Sequence, residues 1–362
     1  MVVRTLVATI PQNLYNYNLP EGKIMVAVKN EGVILEPTGL SFENKAVLNP
    51  ACIEIHGITY LFYRAMGENN VSSIGTCQLE GNTVIKRLTH PILFPEHDYE
   101  KMGVEDPRIT LLDQTFYLFY TAFDGQNARI AYATSNDLVN FVKKGLLSPN
   151  ITYEEACGIF HRENIKEEYF IWKLYLETKF RGLDLLWDKD ALLFPKKISN
   201  KFALIHRIRP DIQIIYFNHF KDLTDDYWEA YLKQLKKYIL LEPKFQFENR
   251  YIGGGCPPIE TKDGWLLIYH GVEDTPFGKI YHASAALLDL KNPLKVLGRL
   301  KEPLFSPKAP WEKSGVTNNV VFPTGVVVKN KRLYIYYGAA DKLIAAKSVD
   351  LTELLTQLKK NP

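Results

Sequence analysis

Two adjacent carboxylates, Glu105 and Asp106, are followed by Pro107 and Arg108 in the run GVEDPRIT at 103–110. A carboxyl group can donate a proton only if its surroundings leave one on it. A like charge beside it raises its pKa and a cation lowers it. Glu105 does the first to Asp106 and Arg108 the second, while Pro107 fixes the backbone between them. In isolation such a run reads as a turn whose Asp bonds nearby amides. Cleavage of a glycosidic bond needs a protonated acid near the leaving oxygen. An inverting hydrolase adds a second carboxylate aimed at water, whereas attack by phosphate needs cations to hold a dianion. Cations are present at strand ends, as Arg64, Lys189 and Arg207, with His270 closing the strand WLLIYH. Each alone reads as a surface or salt-bridging group, and the His reads as well as a core residue.

What places these residues together is a repeat. Five versions of one unit follow one another: NPACIEIHGITYLFYRA (49–65), EDPRITLLDQTFYLFYTA (105–122), LFPKKISNKFALIHRI (193–208), CPPIETKDGWLLIYHGV (256–272) and VFPTGVVVKNKRLYIYYGAA (321–340). Each is a Pro-centred turn, a short strand, a polar turn and an aromatic strand. The marker prolines Pro50, Pro107, Pro195, Pro257 and Pro323 stand 57, 88, 62 and 66 residues apart, a spacing suited to four-stranded blades with long loops. The hairpin turns fall at Gly57, Asp113-Gln114, Asn200, Asp263-Gly264 and Lys329-Asn330. The expected fold is all-β, a five-bladed β-propeller forming one domain over 1–362.

In such a fold the equivalent edges of the blades converge on one pocket, which gathers Asn49, Arg64, Glu105-Asp106, Lys189, Arg207, His270 and Asp341. The slot of Asp106 holds Asn49, Phe194, Cys256 and Phe322 in the other copies, so the blade itself does not require an acid there. The long gap before Pro195 predicts a partly helical insertion at about 150–188, with YEEACGIFHRENIKEEYFIWKLYLETKFRG at 153–182 carrying the helical spacing. A second helix is expected within 222–237, where Trp228, Tyr231, Leu232 and Leu235 share a face, and a third at 348–360 behind an Asp or Ser cap.

Composition narrows the function. With 44 basic and 41 acidic side chains, the net charge of +3 argues against nucleic acid or an anionic membrane as partner. The four cysteines show no zinc-ligand spacing, which points to reduced thiols, a cytoplasmic location and no metal. No nucleotide loop is recognisable in GGGCPP at 253–258, which lacks the GxGxxG and Walker patterns. No organic cofactor is called for.

The motifs NPA (49–51), FYRA (62–65), GVEDPRI (103–109), LFPKKI (193–198), HR (206–207), GGGCPPIETKDGWLLIYHGV (253–272), FPTG (322–325) and YYGAAD (336–341) resemble glycoside hydrolase family 130 over about residues 30–345. That family comprises β-mannoside phosphorylases and hydrolytic relatives on five-bladed propellers. The resemblance implies that Asp106 is the general acid, acting through the sugar's own 3-hydroxyl. It assigns mannose binding to Asn49, Arg64 and Asp341, with Glu105 beside them, and phosphate binding to Lys189, Arg207 and His270. Lys197 is an alternative phosphate ligand, because Lys189 and Arg207 are aligned by motif order across the insertion. The reaction implied is reversible phosphorolysis of a β-1,2- or β-1,4-mannoside by inorganic phosphate, giving α-mannose 1-phosphate with inversion. A β-mannosidase, a mannosyltransferase of the same architecture and a non-catalytic glycan-binding propeller are the competing readings. The insertion and the C-terminal helix are candidate surfaces for homo-oligomerisation.

Overall fold

The computed structural model describes residues 26–171, 174 and 185–361. About half of them lie in strands. The first, β1 (Val28–Leu35), is followed by five antiparallel units. Unit one is β2 (Ala46–Ile55), β3 (Ile58–Met66), β4 (Ser72–Glu80) and β5 (Thr83–Arg87); unit two is β6 (Gly103–Leu112), β7 (Thr115–Phe123), β8 (Ala128–Ser135) and β9 (Val142–Leu146). Unit three runs β10 (Lys189–Leu193), β11 (Phe202–Arg207), β12 (Ile212–Phe217) and β13 (Ile239–Leu241). In unit four the inner edge is split between β14 (Tyr251–Gly254) and β15 (Ile259–Thr261), which both pair with β16 (Gly264–Thr275); β17 (Gly278–Leu288) and β18 (Val296–Arg299) complete it. Unit five is β19 (Val321–Lys329), β20 (Arg332–Ala339) and β21 (Leu343–Asp350), with β1 as its fourth strand beside β21.

The hairpins follow the turn chemistry of the sequence. His56-Gly57, Asp113-Gln114, Ser199-Asn200 and Asn330-Lys331 each hold two consecutive positive φ angles, the backbone whose twist suits two-residue turns. The fifth turn thus sits one residue later than Lys329-Asn330, and the fourth falls between Thr261 and Gly264.

Neighbouring units are tied in order. Ser72 bridges to Gly103, Thr110 Oγ1 donates to Leu193 O at 3.1 Å, Ile252 N donates to Pro210 O at 3.1 Å, and Tyr281 bridges to Val320. The fifth unit returns to the first: Thr324 Oγ1 donates to Pro50 O at 2.9 Å and Val47 N to Lys342 O at 3.0 Å. Aliphatic and aromatic side chains pack between the units, as where Leu266, Ile268 and Ala285 of unit four meet Ile335, Tyr337 and Ala345 of unit five.

Among the described residues, helices sit outside the sheets where the apolar spacing predicted them. Within the insertion, α1 (Tyr153–Arg162) starts at a Thr152–Glu155 capping box and buries Ala156, Ile159 and Phe160. The rest of the segment at 172–173 and 175–184 lies outside the described residues. The second, α2 (Asp225–Leu232), buries Trp228, Tyr231 and Leu232 and is followed by a 3₁₀ turn holding Leu235. After the single turn α3 (Pro310–Lys313), the chain ends in α4 (Leu351–Lys359), capped by Asp350. Among the described residues no helix is long and apolar enough to cross a membrane. All four cysteines are buried thiols.

Candidate active site

The inner strands share a device that aims side chains. Each of β2, β6, β10 and β19 slips register near its start: between Leu48 and Ala51, Glu105 and Arg108, Lys189 and Leu192, and Pro323 and Gly325. A bulge of this kind bends the strand and turns one residue out of the pleat. In the first three the turned residue is Asn49, Asp106 or Asp190, with φ of 49°, 50° and 57°. Asn and Asp enter this left-handed region more readily than other non-glycine residues. Thus the third counterpart of Asp106 is Asp190, not Phe194, and the pairing of Leu48 with Arg64 corresponds to that of Lys189 with Arg207.

These residues meet in a cavity of about 170 Å³ lined by Asn49, Arg64, Asp106, Lys189, Asp190, Arg207, Arg209, Tyr251, Tyr281, Val320, Phe322 and Asp341. Asp106 is its best-held group. Asn49 Nδ2 donates to Asp106 Oδ1 at 2.7 Å, Arg64 Nη1 lies 3.5 Å from the same oxygen, and Lys189 Nζ is 3.9 Å from Oδ2. Gly338 permits the Asn49 approach, since a Cβ there would fall 2.1 Å from Asn49 Oδ1. Burial alone would raise the Asp106 pKa. Arg64, then Lys189, the Asn49 hydrogen bond and Arg108 together override that and hold it well below the ordinary carboxylate range. The Glu105–Asp106 repulsion expected from sequence is outweighed, because Glu105 spends its charge on Arg64 at 2.7 Å and Lys189 at 3.6 Å. Glu105 itself does not line the cavity; it braces the two cations that do.

Arg108 is a strut. It is 1% exposed, donates from Nη1 to the carbonyls of Asp106 (3.0 Å) and Pro107 (3.1 Å), and donates from Nε to Gly255 O, so it pins the bulge and joins unit two to unit four. Asp341, also left-handed at φ 52°, is the opposite of Asp106 in charge preference. Burial raises its pKa, with Thr317 and Arg64 opposing and Asp106 and Glu105 adding to the rise.

Facing the acid is a wall of cations. Lys189, Arg207 and Arg209 line it, and the Tyr251 ring stacks under both guanidinium groups at 5.2 Å (Arg207) and 4.2 Å (Arg209). Tyr251 shares a 2.8 Å hydroxyl contact with Tyr281. Although burial works to raise it, the Tyr251 pKa is lowered, chiefly by Arg209 and Arg207. His270 stands one layer back. It is fully buried, does not line the cavity, and its Nε2 lies 3.3 Å from Arg207 Nη1. Burial and the positive field of Arg207, Arg108 and Arg209 push its pKa well down, which favours a neutral imidazole over a fourth cation. Lys197 is excluded as a substitute for Lys189: it sits at the far turn, 3.1 Å from Asp113 Oδ2 and over the Phe202 ring.

Asp190, Arg209, Tyr251 and Tyr281 escaped the sequence reading. Arg209 had a visible signal, two residues beyond Arg207 and before Pro210. The insertion does approach this face, for Tyr153 at the start of α1 feels the charges of Arg209 and Arg207. A larger cleft of about 670 Å³, lined by residues such as Lys166, Leu241, Phe245 and Lys301, lies elsewhere and contains neither the acid nor the cation wall. Among the described residues no group of three or more His, Cys, Asp or Glu is arranged to hold a metal.

Mostly antiparallel sheets with bulged strands bring a carboxyl and a set of cations to one cavity. The chain belongs to glycoside hydrolase family 130: the family model, described as β-1,4-mannooligosaccharide phosphorylase, matches residues 29–360. It is 32% identical to a 1,2-β-oligomannan phosphorylase of Thermoanaerobacter sp. (strain X514), over 90% of this chain and 97% of that one. It is 36% identical to a β-1,2-mannobiose phosphorylase of the same organism, over 85% and 91%. In fold it is similar to the β-1,2-mannobiose phosphorylase of Listeria innocua, with a TM-score of 0.70 at 22% identity, covering 92% of this chain and 99% of that chain.

Proposed function

We propose that this protein is an inverting β-mannoside phosphorylase acting on β-1,2-linked mannosides, with its five units closed as the blades of one propeller domain. The sequential ties between units, returned from unit five to unit one through Thr324 and Pro50, support the closed ring. One observation carries the function: a single cavity sets Asp106 against Lys189, Arg207 and Arg209. A glycan-binding module has no use for an acid opposite an anion wall, and three phosphorylase relatives that cover 85–91% of the chain take 1,2-linked substrates by name, against one 4-O-β-D-mannosyl-D-glucose phosphorylase at 21% identity over 82% of it.

The division of labour follows from the contacts. Asn49, Arg64 and Asp341 hold the mannose ring beside Asp106. Lys189, Arg207 and Arg209 hold inorganic phosphate, a co-substrate, and His270 and Tyr251 keep the guanidinium groups aligned. A phosphate oxygen attacks the anomeric carbon from the face opposite the leaving sugar, and Asp106 supplies the proton to the leaving oxygen by way of the sugar's 3-hydroxyl. The product is α-mannose 1-phosphate. Arg64, Lys189 and Asn49 favour the ionised form of Asp106, so the charge around it must change before the acid can work. An arriving phosphate dianion does this, drawing on Lys189 and adding negative charge, both of which raise the carboxyl pKa. No cofactor enters this scheme, and the buried thiols suit a reducing cytoplasm.

The test is product analysis from β-1,2- and β-1,4-mannobiose with and without inorganic phosphate. Mannose 1-phosphate that appears only with phosphate, and only from the β-1,2 substrate, is the expected result. Equal free mannose in both conditions would instead define a β-mannosidase, and mannose 1-phosphate from the β-1,4 substrate alone would correct the linkage.

A further inference from the structure

A carboxylate in a wall built for an anion is anomalous, and Asp190 is one. It lies between Lys189 and the rest of β10, lines the cavity and is 4% exposed. Three positively charged or imidazole groups surround it: Arg207 Nη1 at 2.9 Å from Oδ2, Arg108 Nη2 at 3.9 Å from Oδ1 and His270 Nε2 at 3.9 Å from Oδ2. None is aligned as a hydrogen bond, so both Asp190 oxygens are without a hydrogen-bond partner. Arg207 Nε, His270 Nδ1 and Asn49 Oδ1 are in the same condition around the same cavity. Buried polar groups left this way are rare and mark a place where something is to be bound. Gly253 keeps the space open, because a Cβ there would stand 2.5 Å from Asp190 Oδ2 and 2.4 Å from His270 Cε1.

A carboxylate only accepts hydrogen bonds. It repels an anion that has no proton to offer and binds one that has. Near neutral pH inorganic phosphate retains at least one proton, as does arsenate, whereas sulfate retains none. We propose that Asp190 accepts the hydrogen bond of protonated phosphate and thereby makes the site select phosphate over sulfate. This rests on the phosphorolytic reading above. During attack an unprotonated phosphate oxygen bonds to the anomeric carbon as the bond to the leaving oxygen breaks. Asp106 gives its proton to that oxygen, and the phosphate's own proton stays on the product monoester, facing Asp190. Selectivity then comes from a repulsive element as much as from the cations, which alone attract either anion.

The decisive measurement compares the phosphate KM and the sulfate inhibition constant in wild type and Asp190→Asn, with arsenate-dependent mannose release as a second readout. Wild type should use arsenate and resist sulfate, with an inhibition constant at least about tenfold above the phosphate KM, the scale of one hydrogen bond to a charged group. In D190N that ratio should fall about tenfold or more, since the amide can donate to sulfate. If Asp190 serves only to align Arg207, both anions weaken together and the ratio stays put, which overturns the proposal. Should D190N fail to fold, wild type still decides: sulfate inhibiting near the phosphate KM refutes it. Mannose release that ignores phosphate would sink the phosphorolytic reading itself, an outcome distinct from phosphate-dependent turnover with an unchanged ratio.

Discussion

The two halves of the cavity are built on opposite principles. The sugar side, from units one, two and five, is closed: Asn49 already holds Asp106, and Arg64 holds both Glu105 and Asp106, at hydrogen-bonding distances. The cation side, from units three and four, is open in the electrostatic sense, with crowded positive groups, a carboxylate paired with Arg207 but without an aligned hydrogen bond, and His270 pressed behind Arg207. A preorganised half costs nothing to arrange when the sugar arrives. The other half is under charge strain until an anion enters, and that strain is what couples phosphate binding to the protonation of Asp106 through the Lys189 they share.

The contrast can be broken at its strongest point first. Replacing the acid, Asp106→Asn, should lower kcat by a hundredfold or more for unactivated mannobiose while leaving phosphate binding measurable by calorimetry. A variant that retains full turnover would remove Asp106 from the chemistry. Next in size is Lys189→Met, expected to raise the phosphate KM about tenfold or more, the loss of one charge-assisted contact; Lys197→Met, at the far turn, should leave it unmoved, and equal effects of the two would show that the wrong lysine faces the anion. The smallest effect sharpens the comparison most. Asp106 must carry a proton to act, so rate falls as pH rises through its pKa in the complex. Phosphate raises that pKa, so the alkaline limb of the pH–rate profile should move to higher pH as phosphate goes from limiting to saturating. A limb that stays fixed would mean the two halves do not communicate.

The same asymmetry governs what the sequence reveals. On the sugar side Asn49 and Asp106 are each flagged by a following proline and each stand seven residues before the first left-handed turn residue, His56 or Asp113. Asp190 has no proline after it and stands nine residues before Ser199, because the third hairpin arm is longer. Counting on the proline pattern therefore lands on Phe194, which is buried against Trp265 at 5.1 Å instead of facing the cavity. Helix α2 was legible because its apolar face obeys one local period. The depth of His270 was not, since a strand-end residue can face the cavity or sit behind it according to what the neighbouring unit packs there. The sign of the Asp106 shift was hidden for a related reason: Arg64 and Lys189 come from other units, and their distances are set by the bulges.

The strand β1 completes unit five by pairing with β21, so one of the earliest described segments and one of the last must find each other. During synthesis on the ribosome, residues 28–35 wait for a partner that is made about 310 residues later. Asp341, in the turn just before β21, is supplied over the same late interval. Contacts this distant in sequence form slowly. A nascent chain can therefore assemble most of its sheets without owning a complete sugar pocket, and catalytic competence arrives together with the final clasp of the fold.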